Sequence, residues 1–200
     1  MMKLDMQIED RSSSGIRLIP LQTRLLSKRQ VFLTGEVNMD MADAFVQQMM
    51  YLDQEGEKIS IYLNSCGGEV DAGLVIYDVL QSAKSSIDVY CIGHAYSMAA
   101  VLLASGPKGH RFILPHSKVM IHEPSIESGI AGSAVSVKRV SDSIAETRTL
   151  TIELLMKHTG RKKAEITKAL SYDNFMNAKE AIQFGLCDRI VDGPERVDPE

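Results

Sequence analysis

Ser97 sits in "GHAYSMAAVLLASG" (residues 93–106), between Tyr96 and Met98 in a run that is otherwise small and apolar. Such a hydroxyl becomes a nucleophile when a base takes its proton, and the run "KVMIH" ends in an imidazole, His122. "SCGG" adds Gly67 and Gly68, where a chain without Cβ atoms approaches a substrate closely. A hydroxyl, an imidazole and a pair of free N–H groups are the parts of an acyl-transfer site. The part still missing is an acid to orient the imidazole. Asp173, in "LSYDNFM", follows a helical segment and lies in a loop flanked by aromatics, where a carboxylate would be held partly buried. Residue type alone leaves Asp142, Asp188 and Asp192 equally open.

These groups need elements that bring them together. "RQVFLTGEV" reads as a strand, and "DMADAFVQQMMYLDQEG" carries Ala42, Phe45, Val46, Met49 and Leu52 at helical spacing before Gly56. "KISIYLN" is a strand leading into the glycine turn "SCGG", and "EVDAGLVIYDVLQSA" is a helix. "IDVYCIG" repeats the strand before the apolar segment that starts at Ser97, and the runs "HRFIL" and "KVMIH" follow. After the loop "SIESGIAGSA" the longest helix spans about Val135 to His158 and stops at Gly160. Helical "KKAEITKAL" and "NAKEAIQFG" and a last strand in "LCDRIV" complete the chain. This alternation predicts an α/β fold, a mostly parallel sheet covered by helices. In such sheets ligands bind beyond the carboxyl ends of the strands, and Ser97, the glycine pair and His122 each follow an apolar run. No internal repeat is present, and "RSSSG" and "DGPERVDPE" predict loose ends.

Composition narrows the classes. A chain of 200 residues with 44% hydrophobic content is one domain, spanning 1–200. A net charge of −4 gives no basic excess for nucleic acid. Three cysteines, Cys66, Cys91 and Cys187, with no Cys-x-x-Cys spacing, argue against a disulfide framework or a structural zinc site and fit a reducing cytoplasm. No segment has the apolar length of a signal peptide or a membrane span. Singly, each candidate has a plainer use: a serine among small residues packs a helix, a histidine ends a strand, an aspartate forms a turn or cap. Cys91 and His94 are only two metal-type ligands, better read as strand packing, and Cys66 ranks below Ser97 as a nucleophile although helix starts favour thiolates. Met39, Met41, Met49 and Met50 read as core and interface filling.

Three blocks then act jointly. "YLNSCGGEVDAGLVIYD", "GHAYSMAAVLLASGPKGHRFILPHSKVMIHEP" and "YDNFMNAKEAIQFGLCDRIV" resemble, in order and spacing, those of ClpP, the proteolytic subunits of the ATP-dependent Clp proteases, from about Leu18 to Val191. The resemblance implies a crotonase-like fold, two stacked heptameric rings enclosing a chamber, and an ATPase ring that feeds in unfolded protein or peptide. It assigns Ser97 as nucleophile, His122 as base and Asp173 as acid, with Gly68 and Met98 N–H groups as oxyanion donors. It also implies substrate binding along Gly67, Gly68 and Pro124. About 1–17 would be an axial segment, about 123–160 a handle and about 192–200 a loose tail. No metal or organic cofactor is implied, ATP being used only by the partner ATPase.

The departures are specific. Cys66 stands where the family usually has proline, Tyr96 where it has alanine, and Ala99 where it has glycine. "EPSIESGIAGSA" replaces a glutamine, a proline and a glycine-rich strand, and Ser171 and Tyr172 replace an Asp and Arg pair that bonds across the ring equator. Ser60 and Ser82 stand where aromatics of the ATPase-docking cleft are expected, though Tyr62 is kept. The expectation is a serine endopeptidase, in a homomeric ring or one mixed with a second subunit. The alternatives are a silent ring partner or a crotonase-type acyl-thioester enzyme, the latter without a visible coenzyme A pocket.

Overall fold

The structure is a computed structural model and describes residues 6–12, 15–54, 56–125 and 132–194. At the N-terminal end β1 (Gln7–Ser12) and β2 (Gly15–Pro20) pair antiparallel where a loose segment was expected, with Ile8 opposite Ile19 and Asp10 opposite Arg17. Such apolar and opposite-charge cross-strand pairs stabilise a two-stranded unit that turn-rich composition conceals. Then come α1 (Leu21–Ser27), β3 (Gln30–Val37), α2 (Met39–Leu52), β4 (Ile59–Gly68), α3 (Val70–Ser82), β5 (Ile87–Tyr96) and α4 (Met98–Ser105). After β6 (Arg111–Ile113) and β7 (Lys118–Ile121) follow α5 (Ala134–Thr159), α6 (Lys163–Leu170), β8 (Asn174–Asn177), α7 (Ala178–Phe184) and β9 (Arg189–Ile190).

The main sheet runs β3-β4-β5-β6-β9 in parallel, as the strand–helix alternation predicts. Within this sheet two elements differ from the sequence reading. "SCGG" is strand rather than turn, because Glu36 and Val37 pair with Gly67 and Gly68 after a register shift in β3. "NFMN" forms β8, antiparallel to β7; four residues are too few for period-two alternation to declare itself. The tail 195–200 and most of the loop "SIESGIAGSA" (126–131) lie outside the described residues.

β4 shows why the centre reads as one apolar run. Ile59, Ile61 and Leu63 bury one face against the helices, while Tyr62 buries the other in a row of stacked rings, Phe32–Tyr62–Tyr90–Phe112, with centroids 4.9, 5.2 and 4.8 Å apart. Ser60 is buried on that ring face, whereas Ser82 lines a surface groove with Val46, Met49 and Val79. All eight residues of α4 are buried, which explains the unbroken small and apolar segment after Ser97. In the 26-residue α5 only Ile152 and Leu155 are buried, while Val135, Val137 and Leu150 are exposed.

Arg111, 2% exposed, ties these layers together. Its Nη1 donates to the carbonyls of Ala104, His158 and Gly185, and its Nε and Nη2 donate to both oxygens of Asp188. Removing Asp188, itself 19% exposed, would leave the buried Arg111 charge with backbone carbonyls as its partners and no counter-charge, which is destabilising. Beside it, the His158 ring is hydrogen-bonded to the Tyr77 hydroxyl (2.9 Å), which also accepts from Lys157 (2.8 Å). Burial, then the charges of Lys157 and Arg111, push the His158 pKa down to about 4 from 6.5. The unfolded chain therefore binds a proton at His158 between pH 6.5 and about 4 that the folded chain refuses, so stability falls as pH drops through that window. We expect His158→Gln to lessen the fall of the urea midpoint over this window; an identical slope in the variant would contradict the assignment.

Candidate active site

β7 decides which side chains meet. It continues the edge that β6 begins on β5, pairing His94, Ala95 and Tyr96 with Lys118, Val119 and Met120, and its other edge pairs antiparallel with β8 from Lys118↔Asn177 to Ile121↔Asn174. The carboxyl ends of β5 and β7 and the amino end of β8 thus arrive at one place, with Ser97, His122 and Asp173 each the next residue along. The Ser97 N–H extends the ladder by donating to the Met120 carbonyl (2.8 Å), and the Glu123 N–H donates to the Leu170 carbonyl (3.0 Å) just beyond His122. Arg148 of α5 clamps Glu123 through a 2.7 Å ion pair.

The side chains form a chain of hydrogen bonds. His122 Nε2 lies 2.9 Å from Ser97 Oγ, and His122 Nδ1 lies 3.1 Å from Asp173 Oδ1. Among the other acids, Asp142 pairs with Lys138 on α5 and Asp188 is taken by Arg111, so geometry separates candidates that residue type could not. One expectation changes. Asp173 is 66% exposed rather than partly buried, because Tyr172 and Phe175 turn outward and do not cover it. His122 is the more protected partner at 26%.

Ser97 holds φ 53° and ψ −122°, a region that costs a residue with Cβ about 1–3 kcal/mol. No sequence signal marked this strain, since the turn has no flanking Gly-x-Ser-x-Gly. The strained turn starts α4, whose first N–H, on Met98, has no preceding turn of helix to bond. Gly67 (φ +89°) lies directly against it: a Cβ there would stand 2.6 Å from the Tyr96 carbonyl oxygen, 2.8 Å from Ser97 Cβ and 3.0 Å from the Met98 nitrogen. Gly68 (φ +149°) is pressed on its other side against the Val37 backbone, whose carbonyl takes the Glu69 N–H (2.8 Å).

Two hollows open at Ser97. A cleft of about 1070 Å³ is lined by Glu36, Cys66, Gly68, Tyr96, His122 and Pro124. A second, of about 350 Å³, is walled by Val70, Met98, Val101, Pro124, Leu155 and Leu170, with Ser97 and His122 beside them. Sequence reasoning did not single out Leu155 or Leu170, whose approach to Ser97 depends on how α5 and α6 fold back. Cys91 packs into the core as the sequence reading has it, but the contact that His94 makes with Cys66 was not foreseen. Three residues apart on a strand, Cys91 and His94 face opposite ways, so Cys91 is buried, its thiol pushed up to about 11 mainly by that burial, while His94 Nε2 meets exposed Cys66 Sγ at 3.2 Å.

Among the described residues no cluster of three or more His, Cys, Asp or Glu side chains is placed to hold a metal ion, and no helix is long and apolar enough to cross a membrane. Compared with known families, residues 13–194 match the model described as Clp protease.

Gly67→Ala tests the close approach at the Ser97 turn against a control. Gly109 has a similar φ (+88°) but open space around it, so Gly109→Ala suffers backbone strain alone. We expect Gly67→Ala to lose at least about 1 kcal/mol more than Gly109→Ala in urea unfolding; equal losses would show that the approach is not tight.

Proposed function

The chain belongs to the Clp protease family, and from that premise we propose that it is a serine endopeptidase in which Ser97 attacks the peptide carbonyl. The observation that carries this reading is the pair of hydrogen bonds, 2.9 and 3.1 Å, linking Ser97 Oγ through His122 to Asp173. Neutral His122 takes the Ser97 proton through Nε2 as Oγ adds to the carbonyl, and Asp173 holds the proton on Nδ1 and stabilises the imidazolium. The N–H groups of Gly68 and Met98 hold the oxyanion; the Met98 N–H at the start of α4 supports this role. His122 then gives its proton to the leaving amine, and water repeats the cycle on the acyl-enzyme. The pocket of Val70, Met98, Val101 and Leu155 takes an apolar side chain next to the scissile bond, and Gly67, Gly68 and Pro124 border the peptide's path. No cofactor enters these steps.

Family members work as oligomeric rings with Clp ATPases, and we assign this chain a ring chamber, homomeric or mixed, in the cytoplasm. The support is the α5 surface: Val137 and Leu150 are exposed and Val140 and Ile144 half-buried, leaving an apolar stripe for a second ring. Assembly would also cover Asp173 and thereby strengthen its hold on His122. At the ATPase cleft, Ser82 leaves a groove without an aromatic wall, so a homomeric ring should dock a standard Clp ATPase weakly.

A fluorophosphonate is expected to label Ser97, with labelling abolished in Ser97→Ala and slowed at least about 10³-fold in His122→Ala. Labelling that persists in Ser97→Ala would contradict the assignment. By sedimentation, a multi-subunit ring is expected at micromolar concentration, and Val140→Glu with Ile144→Glu should split it; a wild-type monomer would contradict the ring.

A further inference from the structure

A second nucleophile lines the same cleft, with a base in contact with it. The register shift between Leu63 and Ser65 in the β4–β5 pairing brings Cys66, at the end of β4, to His94 on β5, 28 residues away in sequence, with Sγ and Nε2 3.2 Å apart. His94 is held at both its main chain and its ring. Its backbone N–H donates to the Asn64 side chain (3.1 Å), and its ring lies 4.8 Å from that of Tyr96, which meets Phe175 edge-on at 5.4 Å. Cys66 is exposed and lines the cleft that also holds Ser97 and His122, whereas Cys91 and Cys187 are buried. The Ser97 chemistry uses neither Cys66 nor His94.

We propose that Cys66 and His94 form a peroxide-reactive thiol–imidazole pair that, once oxidised, closes the peptide cleft. His94 takes the thiol proton, and the thiolate attacks one oxygen of hydrogen peroxide. The S–O bond forms as the O–O bond breaks; sulfur is oxidised to the sulfenic acid, and the departing hydroxide leaves as water with the proton from His94. The added oxygen stands on the cleft wall one residue before Gly67, whose backbone packs on Ser97, and so obstructs the peptide's path. A dithiol reductant reverses the change. Burial raises the Cys91 and Cys187 thiols to about 11 and about 12, so these two remain protonated and unreactive under the same treatment.

The closure rests on the Ser97 reading, but oxidation of Cys66 does not, and the two are measured separately. Full-length protein is treated with hydrogen peroxide and dimedone, which traps sulfenic acids, and the adducts are mapped by mass spectrometry. The expected adduct is on Cys66, forming at least about tenfold more slowly in His94→Gln. An adduct confined to Cys91 or Cys187, or an equal rate in His94→Gln, overturns the pair. In parallel, fluorophosphonate labelling and peptide hydrolysis are compared with each variant's own untreated rate. Peroxide is expected to lower hydrolysis by at least about tenfold in the wild type, reversibly by dithiol, and to leave Cys66→Ser at its untreated rate. Equal inhibition of Cys66→Ser, or a Cys66 adduct on a protein whose hydrolysis is unchanged, overturns the closure. Absence of both labelling and hydrolysis before treatment would instead count against the Ser97 reading, with the adduct still testing the pair.

Discussion

β7 is hydrogen-bonded on both edges, to β5 and to β8, and the site exists because of that double pairing. Four residues set the distance from Ser97 to His122 through a parallel ladder and from His122 to Asp173 through an antiparallel one. A one-residue slip on either edge would turn the partner's side chains to the other face and separate the groups. The bonds from Ser97 N–H to Met120 and from Glu123 N–H to Leu170 fasten both ends of the His122 segment against such a slip. Three short loops could not hold an imidazole between two partners with this economy; paired strands do so because their register is discrete.

The same place carries the strain of the fold. Ser97 is held at a positive φ, and Gly67 packs on it at distances no side chain would allow. Such a turn persists only where its surroundings over-determine it. Those surroundings are α4, buried along its whole length behind Ser97, and Arg111, whose guanidinium ties the end of α4 to α5, to the end of α7 and to Asp188 ahead of β9. Asp188 illustrates the balance: burial opposes its ionisation, yet the Arg111 hydrogen bonds and charge outweigh this and hold its pKa below the usual carboxylate value.

Much of this arrangement was legible in the residues. Apolar runs and helical spacing located the strand–helix alternation, and from it Ser97, the glycine pair and His122 fell at strand ends, where an α/β sheet gathers its ligands. What stayed hidden depends on contacts between distant segments. Residue type could not choose Asp173 over Asp142 or Asp188, and only the family resemblance singled it out; the contact itself depends on β8 pairing with β7, while Lys138 and Arg111 take the other two. Its exposure was misjudged because neighbouring aromatics say nothing about which way they turn. The meeting of Cys66 with His94 depends on a register shift that leaves no mark in either strand's sequence. The period of α5 alone does not tell a stripe facing a partner from one facing a core; only the family resemblance marked this helix as a handle.

In the proposed mechanism Ser97, activated through His122, bonds covalently to the substrate's carbonyl carbon. Rapid acid quench of the protein turning over a peptide ester with an apolar residue at its carboxyl end, followed by peptide mapping, observes that bond. An acyl mass is expected on the peptide that carries Ser97, accumulating before steady state. An acyl mass on Cys66 instead, or ester hydrolysis with no acylated protein at any time, would contradict the mechanism.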